Sequence, residues 1–174
     1  MINKEIKFKI TLKQQFLVLI WFFVMNSVLL IAYFKIINPL FVDGLIIGGI
    51  VFLIALFVLP VIILHPQYVI KNCLGPLVIS TEEHFVSIGK GKDLFKFNFS
   101  DIKELRYYAT LSHLSSKGGS SWYTFDSYRF YKIILNNSDE IIVTCLMINN
   151  IENTLEELLG IKAIRKFRAI PFIY

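Results

Sequence analysis

Hydrophobic positions divide the chain into two textures. Residues 16–34 form a run of 19 without a charge, and its strongly polar members are Asn26 and Ser27. A second uncharged run of 21 covers residues 44–64. A helix of either length spans about 30 Å, the thickness of a bilayer's hydrocarbon core. Both are read as transmembrane helices rather than buried core helices, because about 105 polar-patterned residues could not cover two such rods. The first run is too long for a signal-peptide core, and no small-x-small cleavage site ends it.

The connection, residues 35–43, holds Asn38-Pro39, a turn signal. Two spans joined by so short a connection form an antiparallel hairpin with both chain ends on one side. Lys4, Lys7, Lys9 and Lys13 precede it against Glu5 alone. The positive-inside rule therefore places both termini in the cytoplasm of a multi-pass protein of the cell (inner) membrane. Gly44, Gly48 and Gly49 are small enough to let helices approach closely in lipid, so they are candidate helix-packing positions.

After His65-Pro66 the period shortens to two. Leu77 to Ser80 and Phe85 to Ile88 read as strands around a polar Glu82-Glu83 turn. Phe95, Phe97 and Phe99 alternate with Lys96 and Asn98. Ser100-Asp101 punctuates, and a strand follows with Leu105, Tyr107 and Ala109 on one face. Residues 111–121 are a Ser/Gly loop. An aromatic-rich segment runs from Trp122 to Leu135, and Asn136-Asn137-Ser138-Asp139 predicts a hairpin into Ile141 to Met147. Ile151, Leu155, Leu158 and Leu159 then recur at helical spacing, and Gly160 fits a C-terminal cap.

The predicted class is an α+β membrane protein. Its parts are a basic segment (1–15), a two-helix transmembrane hairpin (16–65) and a cytoplasmic β domain (66–174). That domain is a small antiparallel roll or open barrel, capped by a helix at about 150–159 and followed by a basic tail.

Composition sharpens this picture. With 55 % hydrophobic and 18 % charged residues in 174, and a mean hydropathy of +0.61, disorder is excluded. Cys73 and Cys145 cannot make a disulfide-rich scaffold or a four-thiolate zinc site. From residue 70 onward 13 basic residues stand against 11 acidic, a net +2, too little for a nucleic-acid footprint. His65, His84 and His113 lack metal-ligand spacing, and Gly89-x-Gly91 and Gly118-Gly119 lack the context of a nucleotide loop. Neither apolar run carries the intramembrane charge that transport pathways need. No enzyme activity, metal or cofactor is predicted.

The order of elements, the segment from Phe97 to Leu105 with Ser100-Asp101-Ile102, and the Tyr-rich strand before the Asn-Asn-Ser-Asp turn resemble bacterial pleckstrin-homology-like (PH-like) domains of small membrane proteins with a two-helix hairpin. That resemblance implies binding of proteins or lipid headgroups rather than catalysis. Phosphoinositide-binding members carry basic residues in the first hairpin loop. Here that loop is read as Thr81-Glu82-Glu83-His84, whose acidic pair repels phosphate.

Two surfaces remain as candidates. Trp122, Tyr123, Tyr128 and Tyr131 would be exposed aromatics that dock a protein partner or a second copy of the chain. Lys162, Arg165, Lys166 and Arg168, joined by Lys90 and Lys92, would rest on anionic headgroups and make the protein a sensor of anionic lipid surfaces.

Overall fold

The computed structural model describes residues 5–32, 49, 58–72, 75–114, 124–148 and 150–173. The alternation Glu5-Ile6-Lys7-Phe8 forms the first strand, β1 (Glu5–Phe8). Helix α1 (Leu12–Ala32) follows. Its start is fixed by a reciprocal cap. The Gln14 N–H donates to Thr11 Oγ1 at 3.2 Å, and the Thr11 N–H and hydroxyl donate to Gln14 Oε1 at 3.2 and 3.0 Å. Asn26 and Ser27 donate to the Phe22 and Phe23 carbonyls at 2.7 and 2.9 Å. The two polar side chains of the apolar run are therefore satisfied within their own helix.

Helix α2 (Leu59–Asn72) passes straight through Pro66. The sequence pattern ends its second helix at residue 64 and opens a new texture after Pro66. The register explains the difference, because Val61, Leu64, Tyr68 and Asn72 recur at three- and four-residue spacing and are all buried. That stripe outweighs the one backbone hydrogen bond a proline removes.

Strands β2 (Leu77–Ser80), β3 (Phe85–Ile88) and β4 (Phe95–Asn98) complete an antiparallel sheet of order β1-β2-β3-β4. The register partners of β1 on β2 run from Glu5 with Ser80 to Phe8 with Leu77. Residues 1–15, expected as a basic segment outside the domain, thus supply its first strand. A one-turn corner at Phe99–Asp101, closed by the Asn98 N–H donating to Asp101 Oδ2 at 2.8 Å, leads to β5 (Ile102–Ala109). The predicted Ser-Asp punctuation is this corner.

Residues Leu111–Leu114, read as loop, make one helical turn, α3. The second sheet has the order β7-β6-β5-β8, built with β6 (Phe130–Leu135), β7 (Glu140–Thr144) and β8 (Ile164–Phe167). Helix α4 (Ile151–Leu159) comes before β8 and buries Ile151, Leu155 and Leu159. Gly160 ends it at φ +65°, as the cap signal predicted. One hydrophobic cluster joins Val18, Val61, Leu64 and Tyr68 of the helices to Leu77, Tyr107, Tyr131 and Leu155 of the β domain.

Among the described residues no single helix is long and apolar enough to cross a membrane. Leu12–Ile20 and Phe22–Leu29, bent by 44°, meet that length and hydropathy only as a pair.

Candidate functional site

Helix α2 is fastened to the second sheet by its buried stripe. The Tyr68 ring stands edge-on to Tyr128 and Phe130 at 5.1 and 6.1 Å, and its hydroxyl donates to the Pro171 carbonyl at 2.8 Å. Asn72 Nδ2 donates to Thr144 Oγ1 at 2.6 Å, and His65 Nδ1 lies 3.1 Å from the Tyr128 hydroxyl. At the start of α1, Gln14 Nε2 donates to the Met147 carbonyl at 3.0 Å.

These contacts correct one expectation. Tyr128 and Tyr131 are both fully buried and offer no docking surface. Tyr128 is the floor on which α2 sits. Tyr131 packs on Tyr107 at 4.9 Å and donates to the Glu152 carbonyl and to Glu156 Oε1 at 3.0 and 2.9 Å. An aromatic-rich stretch is equally the signature of a core strand, and here the core claims it. Trp122 and Tyr123 lie outside the described residues, as do Gly44 and Gly48. Gly49 is exposed, with nothing within 4 Å of where a Cβ would stand.

The basic tail is not a loose segment either. Its centre is β8, which pairs in parallel with β5, Arg165 opposite Tyr107 and Lys166 opposite Tyr108. The Arg165 guanidinium lies over the Tyr107 ring at 5.5 Å and reaches Glu156 at 3.6 Å, while that of Arg168 lies over the Tyr108 ring at 5.2 Å. Two of the four tail cations therefore serve the fold. Lys162 and Lys166 remain exposed, as do Lys90 and Lys92 in the β3–β4 turn.

A polar cluster, unsignalled in sequence, lies under α4. Arg129 Nε faces Glu152 Oε2 at 3.1 Å, and its Nη1 approaches His113 Nε2 at 3.3 Å. Arginine can only donate, so His113 Nε2 accepts and the ring is neutral. Burial, then the Arg129 charge, holds the His113 pKa below its ordinary value. Burial pushes the Cys145 thiol up, away from nucleophilic thiolate. Among the described residues no group of three or more His, Cys, Asp or Glu could hold a metal ion.

A groove lies along the outer edge of β4. A cavity of about 300 Å³ lies between Ile88, Phe95, Lys71 and the start of β7 at Glu140, Ile141 and Ile142. A second of about 360 Å³ continues from Phe95 past Phe97 to Leu135 and Asn136.

The family model for the PH domain matches residues 3–155. The chain belongs to the PH domain family. No curated protein and no solved structure matches it. The match takes in β1, consistent with a PH domain that starts at the first strand rather than after the helices. PH domains are generally non-catalytic modules that dock lipids or proteins. In this PH domain the β1–β2 connection holds α1 and α2. The Thr81–His84 turn joins β2 to β3 and is thus the second hairpin of the sheet, not the first as the sequence suggested.

Proposed function

We propose that the protein is a non-enzymatic docking module held on a membrane by the helical insert of its PH domain. The observation that carries this reading is the β1–β2 pairing. Phe8 and Leu77 are register partners, so the chain between them departs from and returns to one place on the domain. That chain holds the two uncharged runs. Its helices turn large apolar side chains outward, with Phe16 57 %, Ile31 58 % and Ile62 56 % exposed, although their other sides pack on the domain. Contiguous exposed apolar surface marks a membrane or protein contact. The lysines before α1 favour a cytoplasmic domain with both termini beside it.

Protein docking is favoured over sensing of anionic lipid, because Arg165 and Arg168 are already engaged with aromatic rings. Alkaline carbonate extraction of membranes from cells expressing the full chain tests the anchor. The protein is expected in the pellet, and Lys162→Gln with Lys166→Gln should leave it there. Release of the unsubstituted protein into the supernatant would refute the anchor, and release of the double variant alone would restore the lipid-sensing reading.

A further inference from the structure

We infer that the outer edge of β8 is a docking site for an extended protein segment of the pattern apolar, acidic, acidic, apolar, which adds a strand to the second sheet. The inference rests on the docking-module reading and names its surface and partner.

Parity fixes which backbone groups of β8 are free. β8 ends its sheet, with β5 as its one neighbour among the described strands. The Arg168 N–H donates to the Ala109 carbonyl on the β5 side at 3.0 Å. Backbone groups alternate along a strand, so Lys166 and Ile164 also turn theirs toward β5, and Arg165 and Phe167 turn theirs outward. All four residues of β8 are exposed. The outward N–H and C=O groups are the kind that β-augmentation uses.

The side chains specify the occupant. Successive residues of a strand point to opposite faces, so Arg165 and Phe167 present to one face and Ile164 and Lys166 to the other. A strand laid along the edge sets one side chain beside each. Opposite charges and apolar pairs stabilise such neighbours, so Ile-Arg-Lys-Phe selects apolar, acidic, acidic, apolar. That pattern reads the same in both directions and fits a parallel or an antiparallel addition. Ile164 is 47 % and Phe167 58 % exposed. An edge guarded only against aggregation would carry charge without such large apolar side chains.

The charge balance holds when the nearby carboxylates are counted. Glu156 accepts from the Tyr131 hydroxyl and lies 3.6 Å from Arg165, and Glu104 is held by Arg106 at 2.6 and 2.9 Å. Against these two anions stand Arg106, Arg165, Lys166 and Arg168, and residues 158–174 contain no acidic side chain. The Arg165 side chain keeps 44 % of its surface exposed while it lies over Tyr107.

Two other occupants fit less well. A second copy paired antiparallel through the outward groups sets Arg165 against Arg165, Lys166 against Lys166, or Lys166 against Arg168, like charges in every register. A bilayer surface meets one face of a sheet, and Arg165 and Lys166 lie on opposite faces. An added strand meets both.

Fluorescence anisotropy on the full chain in neutral detergent micelles tests this, with labelled peptides built on Val-Glu-Glu-Val or Val-Lys-Lys-Val. The glutamate peptide should bind at least about tenfold tighter than the lysine peptide. Phe167→Pro removes an outward N–H and no bond to β5, so it should abolish that binding with thermal unfolding unchanged, whereas Phe167→Val should keep it. Lys166→Glu should weaken the glutamate peptide at least about tenfold, and decides the matter if the proline variant fails to fold. Equal or absent binding of the two peptides, or binding indifferent to Lys166→Glu, would overturn the inference. So would a chain that takes up anionic over neutral short-chain lipid without distinguishing the peptides, which would give the edge to a lipid surface. Carbonate extraction reads the helices separately, so such a failure leaves the membrane anchor standing.

Discussion

At the residue scale, the side chains that look most functional in the sequence are those the core needs. Tyr128 and Tyr131 are conspicuous in a linear reading, yet each fills a buried position and spends its hydroxyl on a neighbour. The opposite holds for His113, which sits in a Ser-rich stretch and gives no sequence signal, but shares a polar cluster with Arg129 and Glu152. No spacing rule links residues 113, 129 and 152, so only the fold could bring them together. That cluster predicts a pH dependence. The folded state holds the His113 pKa below its unfolded value of about 6.5. Between the two values the unfolded chain binds more protons, so stability rises with pH there. The contribution is complete above about pH 6.5 and is lost as the pH falls toward the folded pKa. Protonation would set a second cation beside Arg129. Thermal unfolding in micelles should therefore drop between pH 7.5 and 5.5, and His113→Gln, which keeps an acceptor without a titrating ring, should flatten the drop. A pH profile unchanged by the substitution would mean that other groups set it.

At the scale of elements, what was legible followed from periodicity, and what was missed lay outside its reach or beneath a stronger signal. β2 through β5 and α4 alternate or repeat clearly, and the structure has them close to their predicted bounds, whereas β6 starts only at Phe130 within the aromatic segment and β7 stops at Thr144, short of Met147. The alternation of Glu5, Lys7 and Lys9 with Ile6, Phe8 and Ile10 is just as regular, but its lysines read first as a topology signal. The Thr11-x-x-Gln14 capping signature is present too, starting five residues before the uncharged run. β8 was not legible. It places two basic residues between two apolar ones, exposes all four, and exists only because β5 has a free edge to take a parallel partner. The consequence is practical. A fragment starting at Asn72, where the sequence alone suggests a cut, lacks β1 and α2. It uncovers the edge of β2 and removes Leu64 and Tyr68 from the core. Loss of one buried large ring costs about 3–5 kcal/mol, a large share of a domain's stability. Size-exclusion chromatography and near-UV circular dichroism should find this fragment aggregated or without fixed tertiary packing, while the full chain in micelles is monodisperse. A monodisperse fragment with a cooperative melt would show that β1 and α2 are dispensable.

At the scale of the whole molecule, the helices and the β domain share one core, so the domain's orientation is tied to whatever the helices are embedded in. A tether from a flexible linker would leave a PH domain free to tumble. Here α2 is buried along one stripe from Val61 to Asn72, and a force on its Leu59 end is transmitted directly to Thr144 and Pro171. The proposed anchor therefore predicts a fixed topology as well as membrane retention. The 44° bend between Ile20 and Phe22 sharpens the question, because a broken span and a re-entrant loop share that shape. Single cysteines separate them. In a Cys73→Ser background, where the Cys145 thiol is buried, Asn38→Cys reports on the connection and Lys103→Cys on an exposed position of β5. An impermeant maleimide should label Asn38→Cys in intact cells and Lys103→Cys only after permeabilisation. Labelling of both only after permeabilisation would mean a re-entrant hairpin whose connection returns to the domain's side. The reversed pattern would put the β domain outside and remove the positive-inside argument from residues Lys7, Lys9 and Lys13. The expected pattern would fix the β domain on the cytoplasmic side, held to the helices by the buried stripe of α2.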